Sequence, residues 1–252
     1  MSEAPTAAVL LIGDEILSGR TKDRNLGYIA DFLTALGIDL KEARVVPDVE
    51  EAIVQAVNAL RATHTYLFTT GGIGPTHDDI TADAVAKAFG VPIDHDPEAV
   101  ALLRAFFSEI GREPNEARMR MARLPEGARM IANPVSKAPG FQIGNVYVMA
   151  GVPAIMQAML QEVAPGLARG VPMRSATVTI RAGEGDIALG LGAIQKANPG
   201  VVIGSYPFQA EDGFAAQIVL RSRDPAGLDA ALAEVRKLAE SLVQEGKARG
   251  FS

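Results

Sequence analysis

The sequence predicts an α/β protein: a three-layer sandwich with a mostly parallel sheet, followed by a small carboxyl-terminal α+β domain. Two patterns support this fold class. Continuous apolar runs at residues 7–12 and 66–68 are typical of strands that are covered on both faces, as in a parallel sheet. Strand and helix patterns also alternate three times in the first ninety residues, which predicts right-handed βαβ crossovers with helices on both faces.

The first domain opens with this alternation. Apolar residues from Leu26 to Leu36 recur at helical spacing, and Gly37 ends the helix. Asp48 followed three residues later by Glu51 is typical of a capped helix start, so the spacing favours Asp48 as an N-cap. In chain order we predict strand 7–12, helix 26–36, a short strand that ends at residues 45–46, helix 48–60, strand 66–68 and helix 82–89.

The remaining elements follow in two groups. Asp224 and Asp96, each before a proline, predict helix starts with Asp at the N-cap. We predict helix 97–110, helix 114–122, strand 129–131, hairpin 141–149 and helix 153–163, then strand 177–180, helix 186–197, strands 201–204 and 214–220, and helix 225–242. Residues 164–174 show neither a helical nor a strand pattern of apolar residues. We therefore place a domain boundary there, between domains 1–168 and 169–252. We expect the tail 245–250 to fray.

Composition narrows the class of protein. The chain has 252 residues, 48% of them hydrophobic, which excludes a mainly disordered protein. Its net charge of −6 argues against a general nucleic-acid binder, and the absence of cysteine excludes disulfides and thiolate catalysis. No apolar run is long enough for a signal peptide or a membrane span. We therefore expect a cytoplasmic protein with no nucleic-acid or membrane partner.

The sequence TTGGIGPTHDDIT, residues 69–81, lies between a predicted strand and a predicted helix. Glycines let the backbone approach a ligand closely and adopt positive φ, and the N–H groups of such a turn bind anions. The spacing fits neither the Walker motif nor the dinucleotide-binding fingerprint. The alternative is a tight turn without a ligand. The residues predicted to cradle a phosphate are Gly71, Gly72, Gly74 and Thr76.

Carboxylates follow each of the first three predicted strands. Asp78 and Asp79 could hold a divalent metal that bridges to phosphate, or one of them could cap the next helix. Asp14 and Glu15 could form a second acidic group at this edge, or they could lie in a solvated loop without a role in binding. Asp48 could both cap the helix and take part in the site. Because ligands bind at the carboxyl ends of parallel strands, we expect these acids to gather at one edge of the sheet.

A rigid polar loop follows the strand at 129–131. Asn133, Ser136 and Lys137 supply hydrogen-bond donors within a segment that also holds two prolines and a glycine. A contact with ribose or phosphate would explain such a loop, and a structural turn with an exposed lysine is the alternative. Three arginines, at positions 118, 120 and 123, are expected to solvate a helix rather than to bind an anion.

The motifs together resemble a known family. The glycine turn resembles the molybdopterin-binding superfamily, which includes the Mog and MoaB proteins. Over about residues 7 to 163, the segments 13–25, 46–48, 69–81, 133–141 and 151–153 are similar to the amino-terminal domain of CinA competence/damage-inducible proteins, and residues 205–207 are similar to the small domain that follows there. CinA proteins also carry a carboxyl-terminal amidohydrolase, which we expect this chain to lack.

The resemblance implies a function. CinA-type amino-terminal domains are associated with metal-dependent hydrolysis of the ADP-ribose pyrophosphate bond. In Mog-type relatives, the acids that match Asp48 and Asp79 belong to the molybdopterin site. The resemblance also implies a homo-oligomer.

The leading hypothesis is therefore a nucleotide pyrophosphatase that uses Mg, Mn or Co. Asp14, Asp78 and Asp79 would hold the metal, with Asp48 as a further candidate, and Lys137 would stabilise the departing phosphate. Asn25 and Asn133 would orient ribose or phosphate. The alternatives are a molybdopterin-binding or adenylyl-transfer protein, and a nucleotide-sensing module without catalysis.

Overall fold

The computed structural model describes residues 4–211 and 213–252. The chain forms two compact units, Met1–Gly170 and Val171–Ser252. The first unit contains, in order, β1 Thr6–Ile12, α1 Asp14–Leu17, α2 Asn25–Ala35, β2 Asp39–Val46, α3 Glu50–Thr63, β3 Tyr66–Thr70, α4 Thr81–Phe89, β4 Ile93–His95, α5 Pro97–Glu109, α6 Glu116–Met119, β5 Arg123–Pro125, β6 Arg129–Ile131, β7 Gly140–Ile143, β8 Val146–Met149 and α7 Pro153–Val163.

A six-stranded sheet in the order β2-β1-β3-β8-β7-β6 organises the first unit. β1 pairs in parallel with β2 and β3, and β3 pairs in parallel with β8. The hairpin β7–β8 and the edge strand β6 add antiparallel pairs. The predicted mostly parallel sheet is confirmed. Because three parallel strands end together, the loops that follow β1, β2 and β3 meet at one edge.

β1 shows why the sandwich has three layers. Ala8, Leu10 and Ile12 pack in the core shared with α3, α4 and α5, whereas Ala7, Val9 and Leu11 pack against α2 and α7. Successive side chains of a strand point to opposite faces, so an entirely apolar strand must be covered on both. Its six apolar residues are at most 2% exposed, and the apolar run therefore identified this central strand correctly.

Three features of the first unit differ from the sequence prediction. β2 begins at Asp39 and is longer than the short strand predicted to end at residues 45–46; half of its residues are charged and none is buried, so the sequence shows no continuous apolar run there. β4 and β5 form a separate two-stranded sheet of three residues each, which is too short to show a period in the sequence. The first loop also contains α1, a single helical turn. The predicted cap of α5 is confirmed, because Asp96 accepts from the Ala99 N–H at 2.9 Å.

The second unit is an antiparallel sheet with helices on one face. Its elements are β9 Arg174–Ile180, α8 Glu184–Ala197, β10 Val202–Ala210, β11 Gly213–Ser222 and α9 Pro225–Gln244. The strand order is β10-β11-β9, and both helices contribute to one apolar cluster with β9 and β11. The predicted small α+β domain is confirmed. Asp224 caps α9, as expected, by accepting from the Ala226 and Gly227 N–H groups.

The carboxyl-terminal tail corrects one expectation. Thr179 on β9 donates its N–H to the Ser252 carbonyl at 2.8 Å, and the Ser252 N–H donates back at 3.0 Å. Arg249 and Gly250 make similar backbone bonds with Arg181. The expected fraying is therefore wrong, because the tail pairs with an otherwise open edge of the sheet. In the part of the chain that the structure describes, no helix is long and apolar enough to cross a membrane.

Candidate functional site

A cleft of about 550 Å³ lies at the carboxyl ends of β1, β3 and β8. This is within the usual size range of small-molecule sites, roughly 300–1,000 Å³. The loops after β1, β2, β3, β6 and β8 all contribute to its wall. Glu15, Asp48, Asp78 and Asp79 line it, so the structure brings together acids that lie up to 64 positions apart in the sequence. No Lys, Arg or His side chain lines this cleft among residues 4–211 and 213–252.

The floor of the cleft is the glycine turn. Gly71 and Gly72 have φ of 106° and 65°, in the region that favours glycine. A Cβ on Gly71 would lie 2.1 Å from the Ile12 carbonyl oxygen, so the turn presses directly against the end of β1. Gly71 itself donates its N–H to the Met149 carbonyl at 3.2 Å. These contacts leave no room for a side chain at the point where β1, β3 and β8 converge.

Three successive backbone N–H groups of the turn are available to a ligand. Those of Gly72, Ile73 and Gly74 donate to no acceptor in the described chain. Buried or half-buried N–H groups rarely stay unpaired, and consecutive ones form concave sites for anions. The Thr81 hydroxyl and N–H fix the turn from below, by donating to the carbonyls of Gly71 and Gly72 at 3.0 Å each.

Asp79 holds the second half of the turn. Its Oδ2 accepts from the Thr76 N–H at 2.8 Å and from the Thr76 hydroxyl at 2.5 Å. A Cβ on Gly74 would lie 2.6 Å from the same oxygen, so the glycine allows this carboxylate to turn inward. The alternative role of Asp78 or Asp79 as a cap of α4 is wrong, because the N-cap of α4 is Ile80 and makes no side-chain cap bond. The hydroxyl of Thr76, which was predicted to contact phosphate, donates to Asp79 instead.

Asp48 caps a different helix from the one that the sequence favours. The N-cap of α3 is Val49, which makes no side-chain cap bond. Instead, Asp48 Oδ2 accepts from the Asp14 N–H at 2.9 Å, in the first turn of α1. The prediction of Asp48 as the α3 cap is therefore wrong. Because the Gly13 N–H also donates to the Val46 carbonyl at 3.1 Å, the loops after β1 and β2 are joined at two points.

The environment of Asp48 raises the pKa of its carboxyl group above the ordinary value. Burial is the largest cause, and the nearby charges of Asp14, Glu15 and Asp78 act in the same direction. The hydrogen bond from Asp14 opposes them by stabilising the ionised form. The charges that raise this pKa come from the loops after β1 and β3, so acids of three loops face the same edge of the sheet. A cation at this edge would relieve the repulsion among them.

The predicted metal ligands do not form a complete cage. In the described ranges, no three His, Asp or Glu side chains are grouped closely enough to hold a metal ion by themselves. Asp79 directs one oxygen at Thr76, and Asp78 is exposed. Asp14 contributes its backbone N–H to Asp48, and its side chain does not line the cleft. A cation bound here would need further oxygen ligands from outside the protein.

The loop after β6 is organised by Asn133, which is 3% exposed. Its Nδ2 donates to the Ser136 hydroxyl at 2.6 Å and to the Ala138 carbonyl at 2.8 Å, while its Oδ1 accepts from the N–H groups of Val135 and Ser136. All its hydrogen-bonding groups are therefore used within the loop. Asn133 and Ser136 line the cleft, but Asn133 shapes the loop rather than offering a free group to a ligand.

Lys137 does not line the cleft. Its φ of 60° is the single positive value among the non-glycine residues that the structure describes. The Lys137 N–H donates to the Asn133 carbonyl at 3.1 Å, which closes the loop in a left-handed turn. Asn25 also lies outside the main cleft. It is 4% exposed and its Nδ2 donates to the Gly151 carbonyl at 2.8 Å.

The arginines have structural partners that the sequence did not reveal. Arg123 makes two bonds to the Asp83 carboxylate on α4, at 3.0 and 2.6 Å, and Arg120 donates to the Asp79 carbonyl at 3.4 Å. Arg118 lies over the Phe107 ring. The expectation that these residues merely solvate a helix is wrong. Their partners lie up to 41 positions away, so no local signal in the sequence could have identified them.

Comparisons with known proteins agree with this fold. Residues 8–169 match the family described as "Probable molybdopterin binding domain", and residues 172–246 match "FAD synthase, middle domain". A protein of Pyrobaculum calidifontis is 35% identical over 253 residues, covering 94% of this chain and 97% of that one. A CinA-like protein of Citrifermentans bemidjiense is 42% identical over 159 residues, which are 62% of this chain but 38% of the relative.

A solved structure supports the same assignment for the first unit. The crystal structure of CinA from Thermoplasma acidophilum matches with a TM-score of 0.60 and 34% identity, covering 66% of this chain and 99% of that chain. The sheet order, the glycine turn and the acid-lined cleft all lie within the matched family region. The chain therefore belongs to the family described as "Probable molybdopterin binding domain", and its first unit is a CinA-type amino-terminal domain.

Proposed function

We propose that the cleft binds a nucleotide pyrophosphate such as ADP-ribose together with a divalent cation, and hydrolyses the pyrophosphate bond. One observation carries this proposal. The floor offers three unpaired backbone N–H groups at residues 72–74, which favour an anion, whereas the described wall carries four acids and no basic side chain. An anionic ligand would meet repulsion there unless a cation accompanied it.

The donor set fits a hard divalent cation. Such ions prefer oxygen ligands, and Mg²⁺ in nucleotide sites is usually held by one or two carboxylates together with phosphate oxygens and water. The absence of a three-ligand group among the described residues is compatible with this mode, since the ligand's phosphates would complete the coordination. The candidate protein ligands are Asp48, Asp78, Asp79 and Glu15, with Asp14 held close to them by its bond to Asp48.

The chain's own residues would position the phosphates and the cation. The N–H groups of Gly72, Ile73 and Gly74 would bind phosphate oxygens, and Asp79 would keep the turn in shape through Thr76. The bond between Asp48 and Asp14 would hold two acidic loops at a fixed separation. A divalent cation, when bound, would polarise the phosphoryl group and lower the pKa of a bound water. Lys137, which does not line the cleft, is not needed in this arrangement.

The test is release of AMP and ribose 5-phosphate from ADP-ribose by the purified, folded protein. We expect products with Mg²⁺, Mn²⁺ or Co²⁺, and none after chelation. Asp79→Asn should lose this activity, whereas Asp31→Asn, on the exposed outer side of α2, should retain it. No product with any of the three ions would overturn the proposal.

A second candidate is molybdopterin binding, which the family match favours. A molybdopterin phosphate could occupy the same backbone N–H groups, and the cleft is large enough for its fused rings. This function predicts tight pterin binding without turnover of ADP-ribose. A nucleotide-sensing module would instead bind ADP-ribose without cation-dependent hydrolysis. The product assay and a pterin titration therefore separate the three functions.

A further inference from the structure

A second, smaller cavity of about 60 Å³ adjoins the main cleft. The two share five lining residues, Ile12, Glu15, Thr21, Gly151 and Pro153. The rest of the small cavity is formed by residues 22–25, Ile16 and Thr70. Its volume is about one-ninth of the 550 Å³ of the main cleft, so it suits only a small group.

Asn25 lines this cavity and has an unpaired acceptor. Asn25 is 4% exposed, and its Oδ1 has no hydrogen-bond partner in the described chain. The orientation of the amide is fixed, because Nδ2 faces the Gly151 carbonyl, which can only accept. The backbone N–H groups of Asn25 and Leu26 are bound by Asp23, so the helix start is already satisfied without Oδ1. Buried acceptors are rarely left unpaired in native proteins.

The unpaired acceptor is close to the glycine turn. Asn25 binds the carbonyl of Gly151, and a Cβ on Gly151 would lie 3.3 Å from the Gly71 Cα. Asn25, Gly151 and Gly71 thus form a continuous chain of contacts from the small cavity to the floor of the cleft. A ligand with a phosphate on the turn would therefore have a neighbouring group beside Asn25.

The chemistry of Oδ1 selects that neighbouring group. The cavity contains charged side chains of both signs, Glu15, Lys22, Asp23 and Arg24, so net charge does not select a ligand. A phosphate oxygen cannot donate to Oδ1, whereas a hydroxyl group can, and a hydroxyl can also accept from neighbouring donors. We propose that the small cavity is a sugar-hydroxyl subsite in which Asn25 Oδ1 accepts from a ribose hydroxyl of the bound nucleotide. The subsite rests on the proposed function in requiring a nucleotide in the cleft.

The subsite can be tested by binding alone. The probes are α,β-methylene ADP-ribose, which cannot be hydrolysed at the bridge, and its derivatives that each lack one ribose hydroxyl. Calorimetry with Mg²⁺ should show that one derivative binds the wild-type protein about tenfold more weakly, the usual effect of one hydrogen bond. In Asn25→Ala, that derivative and the parent compound should bind with equal affinity.

Asn133→Ala provides the matched control. Asn133 is also buried and lines the cleft, but its hydrogen bonds are all internal to its loop. This variant should weaken the parent compound and the derivatives by the same factor. If Asn25 serves only to tie α2 to Gly151, Asn25→Ala will behave in the same way and the subsite is refuted.

The wild-type titrations suffice if Asn25→Ala does not fold. Equal affinity of all the single-hydroxyl derivatives for the wild-type protein would refute the subsite. Binding with the expected discrimination but no hydrolysis of ADP-ribose would refute the proposed hydrolysis and leave the subsite standing. No binding of the parent compound would overturn both.

Discussion

Asp48 accepts a hydrogen bond from the backbone N–H of Asp14 at 2.9 Å, and so joins the loop after β2 to the first turn of α1. The two residues lie 34 positions apart, on loops that follow adjacent parallel strands. The bond brings Asp48 into a group of acids that includes Glu15 and Asp78, and burial together with their charges raises its pKa. This environment therefore makes ionised Asp48 less favourable at the edge where the proposed cation would bind.

This relationship predicts a stabilising substitution. The folded-state pKa of Asp48 is raised, so the free energy of unfolding falls as pH rises from the ordinary Asp value of 3.8 through the raised value. Asp48→Asn cannot ionise but keeps an oxygen acceptor for the Asp14 N–H. In chelator, it should be more stable than the wild type at pH 7, and this advantage should disappear at a pH well below 3.8, where the Asp48 carboxyl is protonated in both the folded and the unfolded state. Urea unfolding at both pH values measures this, and a less stable Asn variant at pH 7 would contradict it.

The two roles of Asp79 can be separated by two substitutions. Asp79→Asn keeps an acceptor for the Thr76 N–H but removes the charge, whereas Asp79→Ala removes both. The Ala variant should lose about 1 kcal/mol of stability, as when a capping residue is lost, and the Asn variant much less. Cation-dependent hydrolysis should fall about 100-fold in both variants. Wild-type activity in Asp79→Asn would show that the carboxylate serves only to shape the turn.

The close contact of Gly71 with β1 predicts a large effect on stability. Gly71→Ala would place a Cβ 2.1 Å from the Ile12 carbonyl oxygen, and overpacking together with positive φ should cost about 3 kcal/mol. Gly90 is the matched control, because its φ of 68° is also positive but nothing lies within 4 Å of an added Cβ. Gly90→Ala should cost only about 1 kcal/mol. Equal costs in chemical denaturation would contradict the steric account of the turn.

Two fully buried threonines predict opposite responses to the same substitution. The Thr69 hydroxyl has no hydrogen-bond partner in the described chain, whereas the Thr81 hydroxyl donates to the Gly71 carbonyl at 3.0 Å. Thr69→Val should stabilise the protein by about 1 kcal/mol because it removes an unpaired polar group, and Thr81→Val should destabilise it by about 1–2 kcal/mol. Thermal or urea unfolding checks both. The account of the glycine turn is wrong if Thr81→Val is neutral.

Topology made the location of the cleft predictable from the sequence. The apolar runs at β1 and β3 identified the central parallel strands, and parallel strands place the loops at their carboxyl ends side by side. Acids such as Asp48 and Asp78 were therefore expected at one edge although nothing in their spacing links them. The three-layer arrangement followed from the same runs, because a strand that is apolar on both faces needs cover on both.

The partners of individual side chains were not predictable in this way. Pro47-Asp48 followed by Glu51 carries the same local signal whether Asp48 caps α3 or a helix elsewhere, and the Asp14 N–H that it binds comes from another loop. The pairing of Arg123 with Asp83 and of Ser252 with Thr179 depends on contacts between distant segments. Such contacts form only once the chain has folded, so local patterns do not record them.

The most direct test is whether nucleotide and cation binding depend on each other. Titration of α,β-methylene ADP-ribose into the wild-type protein should give an affinity at least about tenfold higher with Mg²⁺ than in chelator. By linkage, Mg²⁺ should bind more tightly by the same factor when the nucleotide is saturating. Equal nucleotide affinity with and without Mg²⁺ would contradict the claim that an accompanying cation neutralises the ligand in this acid-lined cleft.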